Sequence, residues 1–310
     1  LYKKAWNLID RSKHIVLISH INPDADALGS SLALYPILKE MGKKVSVVNM
    51  TRDLPKRYDF LPNFKKIKSA LPQNFDLIVS FDCGSLDRLG ISKQDIPIIN
   101  VDHHKTNTLY ADINLIDTTA ASASCVVLNL LKENEIALRR DVATCIYAAL
   151  VEDTGFFSYE NVKKETFETA ASLVEAKADP VFIARMLNER NSLSKLRLIS
   201  IMTQKLQLVN FGMVGYAILS LNDFRKSGAL RSDSDECVDK IRSLATVELA
   251  ILLIEESKGY KISLRSKEKL DVSQIASFFG GGGHKRAAGF TINHKDEKKI
   301  IKEIINKAGI

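Results

Sequence analysis

Short runs of consecutive apolar residues alternate with longer stretches whose apolar positions recur at helical spacing. HIVLIS (14–19) precedes a helical pattern near 26–41, and KVSVVN (44–49), DLIVSFD (76–82) and PIINVD (97–102) follow it. Runs this short and this apolar suit buried strands, and parallel strands need a helix for each crossover. A helical run, AASASCVVLNLLKEN (120–134), comes next, with more helices to about 190. The pattern predicts an α/β fold whose larger N-terminal domain, 1–190, is a mainly parallel sheet flanked by helices.

The pattern changes from about 191. SLSKLRLISIMTQKLQ (192–207) reads as one polar-faced helix, expected to be a linker over 191–207. Strand-like runs follow at 208–221, 246–256 and 260–266, with a helix between them and another at the end. Sequential strands with few intervening helices predict a smaller C-terminal α+β domain, 208–310. No internal repeat or low-complexity tract is present, apart from the glycine run at 280–283.

Composition narrows the class. With 310 residues, 45% hydrophobic and 26% charged, the chain is ordinary globular protein, long enough for one large domain or two smaller ones. No apolar run approaches the roughly 20 residues that span a bilayer, so no membrane partner is expected. The opening LYKKAWNLIDRSKH reads as a short amphipathic helix rather than a signal peptide. Four scattered cysteines without a C-x-x-C pair point to a reduced, cytoplasmic setting, not a disulfide framework or a zinc site. The net charge of +7 and pI near 9.1 suit a partner rich in phosphate. The excess of cations includes KGYKISLRSKEK (258–269) and HKR (284–286), whereas the strand-end motifs are acidic.

Three strand-like runs end in candidate chemistry. HIVLIS leads into HINPDADALGS with His20, Asp24 and Asp26; DLIVSFD ends on Asp82; PIINVDHH ends on Asp102, His103 and His104. Taken alone, the first stretch is either a polar turn with an aspartate capping the helix or half of a metal site. Asp82 alone is an ordinary strand-end turn former, and Arg88 either grips a phosphate or pairs with Asp87. Two adjacent histidines behind an aspartate are harder to dismiss, because that aspartate can fix an imidazole's tautomer. In ALVEDTGFFSYEN (149–161), a helical run ends in Glu152 and Asp153, against the helix dipole, an objection a cation would remove.

Open parallel sheets form ligand sites beyond the carboxyl ends of their strands, so these residues are expected to converge on one sheet edge. Asp24, Asp26, Asp82 and Asp153 would then bring four repelling negative charges together. Two divalent cations would cancel them, and a carboxylate–imidazole set without thiolate suits manganese, or magnesium, better than structural zinc. In FFGGGGHKRAAGF (278–290), glycines such as Gly282 and Gly283 could expose backbone N–H groups to an anion. His284, Lys285 and Arg286 would add donors to that clamp.

Together these motifs resemble the DHH phosphoesterase family. H-x-N-P-D-A-D-A-L-G-S, Asp82, D-H-H at 102–104 and E-D-T-G at 152–155 follow its four motifs in order. G-G-G-H-x-x-A-A-G (281–289) resembles the family's DHH-associated C-terminal domain. Among members, the chain is most similar to stand-alone nanoRNase (oligoribonuclease)/pAp phosphatases. The resemblance implies that His20 and Asp24 hold one manganese ion, and Asp26, His103 and Asp153 another, with Asp82 bridging. It implies that His104 contacts the scissile phosphate or assists the leaving oxygen while Asp102 orients a histidine. His284 and Arg286 would bind the far phosphate across an interdomain cleft that measures substrate length. The expected substrates are short RNA or DNA oligonucleotides, cut to 5′-mononucleotides, and pAp, which loses its 3′-phosphate.

Other readings remain at this point. Within the enzymes they are a pApA or cyclic-dinucleotide phosphodiesterase, a RecJ-type exonuclease and a family II pyrophosphatase. The G-G-G-H-K-R motif argues against the pyrophosphatase, and missing extra domains argue against RecJ. From another class, a non-catalytic basic nucleic-acid-binding protein would be expected to have lost a ligand and to bind long strands with steep salt dependence. A homodimer is left open.

Overall fold

Six short strands build the first sheet, and every neighbouring pair is parallel. They are β1 (His14–Ser19), β2 (Lys44–Val48), β3 (Ile67–Lys68), β4 (Leu77–Phe81), β5 (Ile98–Asp102) and β6 (Ile113–Ile116). This computed structural model describes residues 1–310. The continuous apolar runs follow from burial on both faces. Ile15, Leu17, Leu77, Val79, Ile99 and Val101 pack on one side with the helices. Val16, Ile18, Ile78 and Ile98 pack on the other, under Leu89, Phe75 and Tyr110. The spatial order is β3-β2-β1-β4-β5-β6, so the chain runs outward from β1 in one direction and from β4 in the other. The order therefore reverses between β1 and β4, where open sheets place their ligands.

The helices of this unit are α1 (Tyr2–Arg11), α2 (Ala25–Glu40), α3 (Ala123–Lys132), α4 (Arg140–Asp153), α5 (Lys164–Glu175) and α6 (Pro180–Asn188). Helix α2 is buried on nearly every side, which is why its sequence shows so little amphipathic contrast. Its contact with α4 is unusually close at Gly29. A Cβ there would lie 2.6 Å from the carbonyl oxygen of Cys145 and 3.0 Å from the Cβ of Ala149. No helix of the structure is long and apolar enough to cross a membrane.

Leu1–Arg190 form one compact unit and residues Asn191–Ile310 a second. It contains α7 (Leu193–Lys205), β7 (Gln207–Val209), β8 (Val214–Leu219), α8 (Leu221–Ser227), α9 (Asp235–Arg242), β9 (Leu249–Glu255), β10 (Tyr260–Ser266), α10 (Val272–Phe278), β11 (Gly282–His284), β12 (Ala287–Ile292) and α11 (Glu297–Ala308). Its sheet runs β11-β12-β10-β9-β8-β7, with only β8 and β9 parallel. Residues of α10 and α11 cover one face, and those of α7, α8 and α9 the other. Leu198 and Met202 of α7, the helix expected as a linker, are buried in that second layer.

Six strands stand where the sequence suggested three. The run at 208–221 is split by left-handed Asn210, Phe211 and Gly212 (φ 51°, 56° and 83°) into the β7–β8 hairpin. The glycine run is no loose loop: Gly282, Gly283 and His284 pair antiparallel with β12 as an edge strand. A Cβ on Gly281 would sit 2.2 Å from the carbonyl oxygen of Gly289, so the missing side chain is what admits the neighbouring strand.

Candidate metal centre

His20 and Asp82 each follow the last residue of neighbouring strands, since Ser19 of β1 pairs in register with Phe81 of β4. They flank the point where the strand order reverses. Asp82 adopts a left-handed backbone (φ 51°), a conformation aspartate tolerates better than most residues. That conformation costs on the order of 1 kcal/mol and is typical of functional turns. Its Oδ2 lies 3.3 Å from His20 Nε2 and its Oδ1 3.6 Å from His103 Nε2. One carboxylate thus faces two imidazoles from two different strand ends.

The cap half of the cap-or-ligand question about the turn after β1 is answered by the backbone. Asp24 is the N-cap of α2 and accepts from the Ala27 amide at 3.0 Å. Asp26, only 1% exposed, does not cap its own helix. It accepts instead from the Ala123 and Ser124 amides at the start of α3, at 2.6 and 2.9 Å, and from the Ser30 hydroxyl at 3.2 Å. Those amides are the unfilled N–H groups of a helix N-terminus, so they hold a carboxylate in a fixed orientation.

The last turn of α4 delivers Asp153, whose Oδ2 lies 3.5 Å from His103 Nε2. The chain then reverses through three successive left-handed residues, Gly155, Phe156 and Phe157 (φ 55°, 55° and 61°). This turn accounts for the Thr and Gly of E-D-T-G. Buried Thr154 donates its hydroxyl to the Leu150 carbonyl at 2.7 Å, and the oxygen accepts from the Phe157 amide at 3.3 Å. A Cβ on Gly155 would meet the Tyr159 ring. Asn161 donates to the carbonyls of Asp153 and Ala121, tying the turn to the start of α3.

Fully buried Asp102 has a different task. Its Oδ1 accepts from the His103 amide at 2.8 Å and from His104 Nδ1 at 2.6 Å, and its Oδ2 accepts from Asn107. Burial pushes this carboxyl upward, but the His104 contact, Asn107 and the backbone amide outweigh burial and hold it below the ordinary range. The same Nδ1 also lies 3.4 Å from Asp82 Oδ1, so one edge of the His104 ring faces both carboxylates.

Three trios of potential ligand atoms lie within 4.8 Å of one another: His20, Asp24 and Asp82; Asp26, His103 and Asp153; and Asp82, His103 and His104. Burial, reinforced by mutual repulsion with Asp24 and Asp26, drives the Asp82 and Asp153 carboxyls well above their ordinary range. Asp26 is raised for the same first reason. For His103 burial disfavours the cation, yet Asp26, Asp82 and Asp102 together raise its affinity for a proton. Two oxygens, Asp82 Oδ1 and Asp153 Oδ2, are buried without any hydrogen-bond donor. Acceptors left without a donor amid repelling carboxylates are what divalent cations satisfy, so the residues fit bound divalent metal.

The other expected binding residues lie elsewhere in the chain. Arg88 is exposed on a short 3-10 turn whose carbonyl accepts from the Ile21 amide, so its segment adjoins the turn after β1. In the second unit His284 ends β11, and Arg286 donates Nη1 to the Leu270 carbonyl at 3.1 Å. Sequence reasoning gave no role to Tyr58, Asn107 or Asn161, and set Glu152 beside Asp153 only as a second carboxylate at a helix end. Their signal is polarity beside a motif, which is too common to single them out.

Residues 14–150 match the DHH family, N-terminal domain, and residues 214–309 match the DHHA1 domain. The chain belongs to the DHH family, with a DHHA1 domain behind its N-terminal domain. Over 295 residues it is 29% identical to the bifunctional oligoribonuclease and PAP phosphatase NrnA of Thermus thermophilus, covering 94% of this chain and 88% of that one. A crystal structure of an exopolyphosphatase-related protein from Bacteroides fragilis superposes with a TM-score of 0.91 at 26% identity, covering 99% and 95% of the two chains. RecJ from Thermus thermophilus, solved in complex with Mn2+, shares the fold with a TM-score of 0.57 at 14% identity, over 99% of this chain and 54% of that one.

Proposed function

We propose that the chain is a two-metal phosphoesterase that hydrolyses short oligoribonucleotides, two to five nucleotides long, to 5′-mononucleotides. On this reading it also removes the 3′-phosphate of pAp, with manganese as the native metal. The observation that carries the reading is the pair of donorless buried oxygens, Asp82 Oδ1 and Asp153 Oδ2, at the strand-order reversal of the sheet. The kinship with an oligoribonuclease and PAP phosphatase supports the substrate class.

His20 and Asp24 would hold one ion, Asp26, His103 and Asp153 the other, and Asp82 would span both. The two faces of the Asp82 carboxylate, one toward His20 and one toward His103, support the bridging role. Two bound cations supply a polarised attacking water and neutralise charge at phosphorus. The chain's own residues do the rest. Asp102 keeps the proton of His104 on Nδ1, and Nε2 then meets the phosphate or the leaving oxygen. On the DHHA1 domain, Gly282, Gly283, His284 and Arg286 would engage the terminal phosphate, with Arg88 a further phosphate contact.

The test is a substrate panel of pAp, pApA, short RNAs, cyclic dinucleotides and pyrophosphate with manganese, run beside Asp82→Ala. Turnover of short RNA and pAp is expected, with Asp82→Ala at least a hundredfold slower. Failure to turn over either substrate, or an unimpaired variant, refutes the reading.

A further inference from the structure

Glu152 stands directly before Asp153 and contributes to none of the three trios. Its carboxylate is the opposite of theirs. Oε2 accepts from the Ala25 amide at 2.6 Å, the Tyr58 hydroxyl reaches both oxygens at 2.9 Å, and Arg57 Nη2 is paired with Oε1 at 2.5 Å. A carboxylate that takes backbone, phenol and guanidinium donors on its two oxygens has little left to offer a cation. Asp82 Oδ1 and Asp153 Oδ2 receive no donor at all. Within one acidic cluster the structure thus separates oxygens left without a donor from oxygens used as scaffold.

The place of the Ala25 contact gives it meaning. Ala25 is the first residue of α2 and lies between Asp24 and Asp26 in the chain. Glu152 lies in the last turn of α4, one residue before Asp153. Asp24 already caps the Ala27 amide, so the two carboxylates share the open amides of the first turn of α2. A single side chain therefore links the start of the helix carrying two aspartates to the end of the helix carrying the third. Arg57 and Tyr58, from a short 3-10 turn that follows β2, fix that side chain from the far side. The ring of Tyr58 is itself only 4% exposed, so the brace is anchored in the core.

We infer that Glu152 is a positioning residue that holds the start of α2 and the end of α4 at the separation the cation pair requires. The inference rests on the metal reading of the site and extends it to a residue that is not a ligand. Four repelling carboxylates push these helix ends apart when no cation is present, and the Glu152–Ala25 bond opposes that motion. Side chains that orient ligands in this way typically account for 10–100-fold in metal affinity.

The experiment is calorimetric titration of manganese into the full chain stripped by chelator, with the melting temperature of the metal-free protein measured in parallel. Glu152→Ala is expected to bind manganese about 10–100-fold more weakly than wild type, a loss larger than its fall in metal-free melting accounts for. Glu152→Gln keeps one acceptor oxygen for the Ala25 amide and should recover part of the loss. Tyr58→Phe removes only the hydroxyl donor and should weaken manganese by about 3–10-fold, the worth of one hydrogen bond. Wild-type affinity in Glu152→Ala overturns the inference, as does a metal-free melting temperature that falls in step with affinity. Should Glu152→Ala fail to fold, wild-type affinity in both Glu152→Gln and Tyr58→Phe overturns it instead. Wild-type protein that binds no manganese would overturn the metal reading itself, a separate outcome.

Discussion

Gly29 gives the sharpest quantitative prediction, because two opposing effects of known size meet there. Replacing it with alanine in a helix interior should gain about 1 kcal/mol of helix propensity. The added Cβ, however, would stand 2.6 Å from the backbone oxygen of Cys145 in α4. Ordinary carbon–oxygen contact begins near 3.3 Å, so α2 and α4 must part by roughly 0.7 Å, and a backbone carbonyl cannot rotate away as a side chain would. Overpacking of this kind costs about 1–3 kcal/mol, which equals or exceeds the propensity gain. The expected net loss is about 0–2 kcal/mol, a fall in melting temperature of up to roughly 8 °C for a domain this size. Function should suffer more than stability. Asp24 and Asp26 ride on α2 and Asp153 on α4, and displacing catalytic groups by 1 Å can cost about a hundredfold. Gly29→Ala should therefore lose at least about tenfold in kcat/KM on short RNA, with weaker manganese binding. Thermal melting, manganese titration and steady-state kinetics on the same preparations check this. A Gly29→Ala protein that melts higher than wild type and keeps full activity refutes the argument that close helix contact sets the ligand geometry.

Manganese should raise the melting temperature, by the equivalent of about 2.7 kcal/mol at a hundredfold excess over Kd, and the increment should grow with pH. The sign follows from Asp26, Asp82 and Asp153, whose folded carboxyls are raised by burial. Without metal they bind protons more tightly folded than unfolded, so their contribution to stability is lost as pH rises above the ordinary carboxylate range. Cations bind the deprotonated forms and reverse that slope; an increment that shrinks from pH 5 to pH 8 would contradict the cluster's role. Asp102→Asn should lower kcat about 10–100-fold while leaving manganese affinity within a few fold, because it disturbs the tautomer of His104 rather than a ligand. Since the Asp102 carboxyl is held below its ordinary range, the wild-type contribution to stability is present above that range and lost as pH falls through the folded value. A flat acid limb for the difference between wild type and Asp102→Asn would exclude this account.

The sequence by itself determined the first sheet's principal strands and the chemistry at their ends. HIVLIS, DLIVSF and PIINVD are legible because a parallel strand buried on both faces is apolar at most of its positions, and a charged residue then marks its end. The same logic hid the small strands. INLI of β6 is four residues long, and GGH of β11 has almost no side chain with which to show a period. Pairing with β12, which only the folded chain supplies, makes the glycine run a strand.

What only the tertiary structure decided is how segments distant in sequence share donors. The reversal of strand order between β1 and β4 is a property of the assembled sheet, yet it places His20 beside Asp82. Asp26 is oriented by amides 97 and 98 residues away, and Glu152 reaches an amide 127 residues away. Residue types at strand ends announce that a cation is wanted, because desolvating repelling carboxylates is costly wherever they meet. Which oxygens are filled by N–H and O–H groups, and which are left without a donor, is settled only when the helices pack.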